Sequence, residues 1–453
     1  MSDPRDGRIR PYPDNPFYWQ LGGEPEVLIG GSVEDNLFQV ADIERQLDLL
    51  AECGGNYVRC TMSSRDEGDV WPFYFNQQHG RYDLTRPGEE YWRRFERFLD
   101  LCRQRDIVLQ VELWDRFDFA REPWQLNPYN PANNANYTAD QSGMAEEYRQ
   151  HPSKRENPFF RSVPALDNNE LLLEHQHRNL GWLLQRTLEQ PNVLYCMDNE
   201  TNESPEWGAY WSRTITEAAD QAGVDVYTTE MWDAHDITAE MHQATWKHPE
   251  TYAFCDISQN NHSPVGRHWE NMQAFRAEIA ESGRVRPINT VKIYGANGGR
   301  YGTTRDGQER FWRNIFGGLA ATRFHRPASG LGLGEIAQVH LRSMRMLLDA
   351  MGDVFSCRPR RDLLKNVSYN EAYCMANPPQ EYAVFFPDGG DVLLDVSATG
   401  GRTLELHWLD IRPGEWLAKE LAMPDVDRLP LRTPREEGYF ACRVAPAPTA
   451  DPQ

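Results

Sequence analysis

The segment 192–203 reads NVLYCMDNETNE and joins an apolar run to a polar end. Residues 193–198 are apolar up to Asp198, which is typical of a strand buried on both faces of a parallel sheet. Asn199 and Glu200 follow at once, and Pro205 suits the first turn of a helix. Side chains at the carboxyl ends of parallel barrel strands line the active face. This segment therefore predicts both a strand–helix unit and a candidate site.

The same strand-then-helix pattern recurs eight times between about residues 26 and 352. The predicted strands cover residues 26–30, 56–61, 107–113, 193–198, 224–229, 252–256, 287–293 and 319–324. Residues 335–351 are predicted to form the closing helix. Eight such units in a row favour an α/β fold of the (β/α)8 TIM barrel type. An open doubly wound sheet is the alternative, but the GGSVEDN stretch at 30–36 lacks the third glycine of a dinucleotide fingerprint.

After residue 355 the pattern changes to short alternating strands. Runs such as EYAVFF and DVLLDV are separated by turn signals such as PDGG at 387–390. We expect residues 1–355 to form the catalytic barrel and 356–445 a small antiparallel β-sandwich that is accessory to the chemistry. Residues 446–453 are predicted to be a disordered tail.

The connection over residues 119–165, after the third predicted strand, is unusually long. It contains NPYNPANNAN at 127–136. A loop of this length is usually either functional or disordered. It leaves the end of the barrel that carries active sites.

Composition excludes several classes of protein. The 453 residues include 47 basic and 68 acidic ones, a net charge of −21, which disfavours nucleic acid and anionic membranes as partners. Apolar runs are too short to span a bilayer, and the first residues carry no secretory signal, so we expect a cytoplasmic protein. The eight cysteines include no CxxC pair and indicate buried free thiols. We expect no cofactor and no metal; the sequence does not indicate the oligomeric state.

Glu200 is the strongest catalytic candidate. A glutamate at a strand mouth can protonate a leaving glycosidic oxygen if a partly apolar pocket raises its pKa. The alternative is that Asp198 or Glu200 caps the next helix, although Ser204 before Pro205 is better placed to do so.

Polar and aromatic side chains also follow five other predicted strands, where they could hold sugar hydroxyls or ring faces. The candidates for substrate binding at these strand ends are Trp114, Asp115, Trp232, Asp256, His262, Lys292, Tyr294, His325, Arg326 and Glu335.

NYVRC at 56–60 and DNE at 198–200 resemble the pattern of glycoside hydrolase family 5 in clan A. The resemblance implies that Arg59 supports the site, Asn199 binds a sugar hydroxyl and Glu200 is the acid/base. The opening NPFYWQLGGEPEVLIGGS and the tail from EAYCMAN onward are similar to cellulase-like bacterial proteins with a collagen-binding-type C-terminal sandwich. The apiosidase family is one branch of these.

The chain departs from that family at the seventh strand. The family has a nucleophilic Glu there, whereas this chain has Lys292 in INTVKIYG and no Glu between Pro287 and Gly295. We expect Glu230, on the neighbouring fifth strand, to supply the second carboxylate, with Asp256 and Glu335 as alternatives. Glu230 could instead only pair with Arg59 or Lys292. If another strand supplies the second carboxylate, Lys292 would bind hydroxyls or a substrate carboxylate, or orient the base.

The sequence thus predicts a glycosidase, an enzyme that cleaves the glycosidic bond of a carbohydrate substrate by carboxylic acid/base catalysis. The alternative is a catalytically inactive carbohydrate-binding barrel, which the lysine at position 292 motivates. A metal-dependent barrel hydrolase lacks a plausible ligand set.

Overall fold

A nearly closed barrel of eight parallel strands forms the first part of the chain. The computed structural model describes residues 7–297, 299–425 and 427–448. The strands are β1 (Leu28–Gly31), β2 (Tyr57–Thr61), β3 (Val108–Asp115), β4 (Val193–Asn199), β5 (Thr228–Thr229), β6 (Cys255–Asp256), β7 (Ile288–Ile293) and β8 (Ala321–Phe324). Their order is β5-β4-β3-β2-β1-β8-β7-β6. A bond from Ala253 N to Thr228 O, 3.0 Å long, links β5 to the segment entering β6.

Each strand is followed by a helix, as the (β/α)8 prediction requires. The helices are α1 (Ile43–Glu52), α2 (Glu89–Arg103), α3 (Glu170–Thr187), α4 (Pro205–Ala222), α5 (Glu240–Trp246), α6 (Val265–Glu281), α7 (Thr304–Phe316) and α8 (Glu335–Ala350). The predicted fold class is therefore confirmed.

The two faces of the strands are buried in different surroundings. On β2, Tyr57 belongs to the cluster inside the barrel, whereas Val58 and Cys60 pack outward against the helices. This alternation follows from the two-residue period of a strand. Trp19, on an antiparallel strand before the barrel, donates from Nε1 to Asn289 Oδ1 at 2.9 Å and covers the amino-terminal end of the barrel interior.

The sequence after the barrel forms two antiparallel sheets, which confirms the predicted sandwich. The larger contains Arg358–Pro359, Tyr373–Asn377, Glu381–Phe386, Phe440–Pro446, Leu404–Asp410, Glu415–Trp416 and Glu420–Ala422. The smaller contains Leu364–Lys365, Asp391–Asp395 and Arg428–Arg432. The larger sheet also packs on the barrel, where the Phe385 ring stacks on Trp312 of α7 at 5.1 Å.

The exact domain boundaries stay predictions. The last strand reaches Pro446, and residues 449–453 of the predicted tail lie outside the described residues. All eight cysteines are buried and free, as predicted. Among the described residues, no helix has the length and apolarity needed to cross a membrane.

The long connection after β3 is held by asparagine side chains. Asn127 donates to the Asp118 carbonyl, and Asn130 donates to the carbonyls of Trp124 and Glu146, all at 2.9–3.0 Å. These side-chain amides donate to backbone carbonyls of the loop that would otherwise need water or a neighbouring strand or helix as a partner. The connection therefore presents a fixed surface at the carboxyl end of β3.

Candidate active site

A cavity of about 360 Å³ lies at the carboxyl ends of the barrel strands. Residues that follow each of the eight strands line it: Asp35, Arg65, Arg116, Phe117, Arg121, Glu122, His151, Asn199, Glu200, Asp233, His235, His262, Lys292, Tyr294, Arg300, Tyr301, His325 and Arg326, with a few smaller side chains. A larger groove of about 980 Å³ lies elsewhere, beside Phe17 and Arg276, but its two acids are exposed. The cavity at the strand ends is the candidate site.

Glu200 stands at the mouth of β4 with its carboxylate held by two donors. Its Oε1 accepts from Lys292 Nζ at 2.6 Å and from Tyr294 Oη at 2.8 Å. Burial acts to raise its pKa, but the Lys292 charge and these hydrogen bonds hold the pKa well below its ordinary value. Glu200 is therefore ionised, whereas the general-acid prediction requires a protonated one.

The backbone of Glu200 is also unusual. Its φ of 55° lies in the left-handed region, which costs a non-glycine residue about 1–2 kcal/mol. Strain of this kind persists only where the surroundings impose it, and it is frequent at functional sites.

A buried polar network lies directly beneath Glu200. Arg59 binds both oxygens of Glu112, at 2.9 and 2.7 Å, and donates to Asp35 at 2.7 Å and to Asn199 Oδ1 at 3.2 Å. Asn199 also accepts from Lys292 and donates to Asp115 at 2.9 Å. The network brings Arg59, Asp115, Asn199 and Glu200 together and fixes the orientation of the strand ends.

A second group of charged residues forms one rim of the cavity. Arg65 donates to Asp115 at 2.5 Å and to Asp118 at 3.0 Å. Arg116 donates to Asn202 at 2.6 Å and lies 2.7 Å from Asp233. Because the Asp233 amide donates to the Thr201 carbonyl at 2.8 Å, the loop after β5 is held beside the loop that carries Glu200.

A third part of the cavity lining consists of stacked aromatic rings. His262 stacks on His235 at 3.8 Å and on Tyr294 at 4.1 Å, and Tyr294 stacks on Tyr301 at 5.3 Å. Burial, and then the nearby His235, lower the pKa of His262 to about 3, so it is neutral at physiological pH. Since the rings cover one another, the wall offers mainly ring edges and a hydroxyl group to a ligand.

His325 and Arg326, after β8, meet Asp35, after β1. Asp35 lies 3.4 Å from His325 Nδ1 and 3.2 Å from Arg326 Nε. Burial acts to raise the pKa of Asp35, but Arg59 and these neighbours hold it well below its ordinary value. Asn199, Glu200, His262, Lys292, Tyr294, His325 and Arg326 therefore share one cavity.

The structure contradicts the prediction for Glu230. Its carboxylate accepts from the amides of Asp198, at 3.0 Å, and Met231, at 2.9 Å, and faces α4, where a Cβ at Gly208 would lie 2.2 Å from Oε2. Met231 belongs to the barrel interior, so Glu230 points outward by strand alternation. It does not line the cavity, and the carboxyl pair it forms with Asp198 lies behind the barrel wall.

Six further predicted site residues do not line the cavity: Arg59 and Asp115 lie in the buried network beneath Glu200, and the other four lie elsewhere. Trp114 packs outward on Phe159 and Trp211, and Trp232 donates to Thr245 at 2.8 Å on the helix side. Asp256 faces the barrel interior, where burial raises its pKa to about 6. Glu335 is exposed as the first residue of α8.

Sequence reasoning missed several residues of the cavity. Asp35 follows β1, where the sequence analysis names no candidate, and Arg65 follows β2, where the resemblance indicates only Arg59. Arg116 lies two residues after Trp114, and Asp233 directly follows Trp232; the sequence analysis predicts substrate contacts for the two tryptophans and not for these charged neighbours. The sequence signal that identifies such residues has two parts. The residue follows a strand end, and the two-residue alternation of the strand places its side chain on the inner face of the barrel.

Three solved structures resemble the whole chain in fold. A glycoside hydrolase family 5 protein from Bacteroides vulgatus has a TM-score of 0.64 at 12% identity, over 97% of this chain and 94% of that one. A structure described as a glycoside hydrolase has a TM-score of 0.65 at 10% identity, over 98% and 97%. A third, assigned as a glycoside hydrolase and also from Bacteroides vulgatus, has a TM-score of 0.62 at 12% identity, over 99% and 84%.

No protein-family model matches the chain, and no curated protein matches it in sequence. At these identities the structural neighbours establish the shared architecture, a barrel with a C-terminal sandwich, and leave the activity to be argued from the site.

Proposed function

We propose that the protein hydrolyses a glycosidic bond of a carbohydrate, with Glu200 as the essential carboxylate. One observation carries the proposal: a strained, ionised Glu200 at the mouth of β4, with two donors on a single oxygen, in a cavity built by all eight strand ends. Its Oε1 is engaged, so Oε2 is the oxygen available to a substrate or a water.

The protonation state suggests which role Glu200 takes. An ionised carboxylate can attack the anomeric carbon, activate a water, or stabilise positive charge on the sugar ring, but it cannot deliver a proton. Lys292 and Tyr294 favour the charged form that each of these roles needs. We therefore assign Glu200 the role of nucleophile or base.

Glycoside hydrolysis also needs a proton donor for the leaving oxygen. Asp233 is the best placed carboxyl group, because its loop is bonded to Thr201 and its side chain lines the same cavity. Asp35 lines the cavity too, but its pairing with two arginines, Arg59 and Arg326, holds its pKa well below the ordinary value, whereas Asp233 pairs with one, Arg116.

The test is a panel of chromogenic glycosides and oligosaccharides incubated with the full chain, with release of reducing sugar or aglycone as the readout. Glu200→Gln serves as the blank that ties any activity to this cavity. We expect turnover by the wild type and none above background in the variant.

Equal turnover in both proteins would contradict the proposal. Sugar binding without hydrolysis anywhere in the panel would favour the inactive carbohydrate-binding barrel. The ion pair between Lys292 and Glu200 would then be a permanent structural contact rather than a means of keeping a catalytic carboxylate ionised.

A further inference from the structure

Neighbouring loops contact one another around the mouth of the candidate cavity. On one half of the mouth these contacts are polar. Arg65, after β2, donates to Asp118, after β3, at 3.0 Å. Arg116, after β3, donates to Asn202, after β4, at 2.6 Å. A backbone hydrogen bond of 2.8 Å joins the loop after β4 to the loop after β5. The loops after β2, β3, β4 and β5 therefore form one continuous wall.

Stacked rings and a backbone bond close the next part of the mouth. The rings of His235, His262 and Tyr294 stack in succession and join the loops after β5, β6 and β7. The Gly295 amide donates to the Ser329 carbonyl at 3.0 Å, which joins the loops after β7 and β8. The wall thus continues from β5 to β8 without a break.

Two contacts at the loop after β1 complete the circle. Arg326, after β8, donates to Glu34 at 2.5 Å, and Asn36 donates at 2.5 Å to Asp69, after β2. All eight junctions between neighbouring loops are bridged, and the bridged loops form a closed rim. A polysaccharide that lies across the face of a barrel needs a gap on two sides of the mouth, whereas a closed rim admits only the end of a chain.

The cavity inside the closed rim is small. Its volume is about 360 Å³. At ~30 Å³ for each water molecule, this corresponds to roughly twelve waters, about the number of non-hydrogen atoms in one hexose. The Glu200 side chain is only 17% exposed, so a substrate reaches it from inside the cavity. The cavity therefore has room for one sugar ring beside the proposed catalytic carboxylate.

Outside the rim, the cavity continues along the connection after β3. A groove of about 310 Å³ shares Arg121 and Glu122 with the cavity and is also lined by Gln125 and Tyr148. Arg121, Glu122 and Gln125 are exposed, so a ligand in this groove lies at the surface. Since asparagine side chains fix this connection, the groove offers a stable surface for the rest of a saccharide chain.

We propose that the protein acts on chain ends: the cavity binds one terminal, non-reducing sugar residue, and the rest of the saccharide lies in the groove beside Arg121 and Glu122. Glu200 acts at the anomeric carbon of the bound ring, and the leaving oxygen is attached to that same carbon. The departing chain is therefore on the reducing side of the bound ring.

The chemistry rests on the proposed function. The bond between the anomeric carbon and the glycosidic oxygen breaks, the hydroxyl of a water adds to the carbon, and a proton goes to the leaving oxygen. Each turnover releases one monosaccharide and a chain that is one residue shorter. The closed rim, in contrast, is a binding claim that can be tested without turnover.

The substrates for the test are oligosaccharides of the sugar that the chromogenic panel shows to be turned over, together with malto-, cello- and manno-oligosaccharides. Each carries a fluorescent label on its reducing end and is compared with the same chain bearing a benzylidene cap on its non-reducing ring. A capped ring is too large for the cavity, so the cap should lower kcat/KM roughly 10- to 100-fold or more. Uncapped chains should lose one residue at a time. Labelled products of several lengths at the first time points, or equal cleavage of capped chains, would overturn the proposal.

His235→Ala opens the rim between the loops after β5 and β6, because it removes the exposed end of the ring stack. Cleavage of the capped chain should then rise at least about tenfold relative to the uncapped one. His248→Ala is the matched control, since His248 is also exposed but precedes β6, at the other end of the barrel. It should keep the wild-type ratio, and thermal unfolding checks that both variants are folded. An unchanged ratio in folded His235→Ala would overturn the closure at this junction.

Saturation-transfer NMR of Glu200→Gln with the same chains separates the two claims. The terminal non-reducing ring should receive the strongest saturation, and the cap should abolish it. Cleavage inside capped chains overturns the chain-end proposal and leaves the hydrolase. Binding confined to uncapped chain ends, without cleavage by the wild type, supports the pocket and overturns the hydrolase. The absence of both binding and cleavage overturns both claims.

Discussion

Glu200 and Glu230 stand at neighbouring strand ends but experience opposite surroundings. Glu200 faces the cavity, where Lys292 and Tyr294 keep its pKa well below the ordinary value. Glu230 faces α4, where burial and the Asp198 carboxyl raise its pKa well above that value. The contrast teaches that the face of a strand, rather than its residue type or its position at the mouth, decides the role of a carboxyl group.

The largest expected effect is the loss of activity in Glu200→Gln. We expect turnover to fall roughly 10³- to 10⁴-fold. Because an ionised Glu200 is not the proton donor, the loss should be the same for good and poor leaving groups, and azide should restore part of the rate. A loss confined to poor leaving groups would return Glu200 to the general-acid role.

Glu230→Gln is the matched control for that experiment, because it makes the same change on the outer face. It should leave kcat/KM within about twofold, since Glu230 does not reach the cavity. A loss comparable to that of Glu200→Gln would mean that the outer carboxyl pair takes part in catalysis.

Lys292→Met tests what keeps Glu200 ionised. Without the ammonium the pKa of Glu200 should rise, so its charged fraction at acid pH should fall. We expect the acid limb of the kcat/KM profile to move to higher pH, with turnover at pH 5 reduced roughly 10- to 100-fold. The loss should shrink as the pH rises, and an acid limb that does not move would contradict this reading.

The pH dependence of stability tests Glu230. Its raised pKa means that the folded chain keeps a proton that the unfolded chain releases above about pH 4.3. The free energy of unfolding should therefore fall as the pH rises above that value. Glu230→Gln resembles the protonated form. Between pH 5 and pH 9 its free energy of unfolding, measured with urea, should therefore fall by about 1–2 kcal/mol less than that of the wild type. Identical slopes in the two proteins would contradict the assignment.

The smallest expected effect is that of Trp114→Phe. Trp114 packs on Trp211 at 5.5 Å, outside the barrel, so its loss should cost about 1–2 kcal/mol of stability. KM should not change, because the ring does not line the cavity. A clear rise in KM without loss of stability would place Trp114 in the binding site after all.

The fold was accessible from the sequence because the apolar runs and their helical partners repeat in a simple order. Glu200 could be predicted as well, since the apolar run of β4 ends at Met197 and Glu200 follows the two polar residues after it. Its protonation state could not, because the Lys292 ammonium that lowers its pKa comes from β7, far along the chain.

Glu230 shows where sequence reasoning failed. Only Thr228 and Thr229 form β5, so the run gives too little alternation to tell the inner from the outer face. A one-residue change of register exchanges the faces. Arg116 was missed for a related reason: its burial depends on Asn202 and Asp233, contacts between loops that no local pattern indicates.

The most direct test of the central claim is infrared difference spectroscopy of the carboxyl groups at pH 7, which requires no substrate. Subtracting the Glu200→Gln spectrum from the wild type should remove an ionised carboxylate band, whereas subtracting Glu230→Gln should remove a protonated carboxyl band. A protonated Glu200 together with an ionised Glu230 would contradict the account.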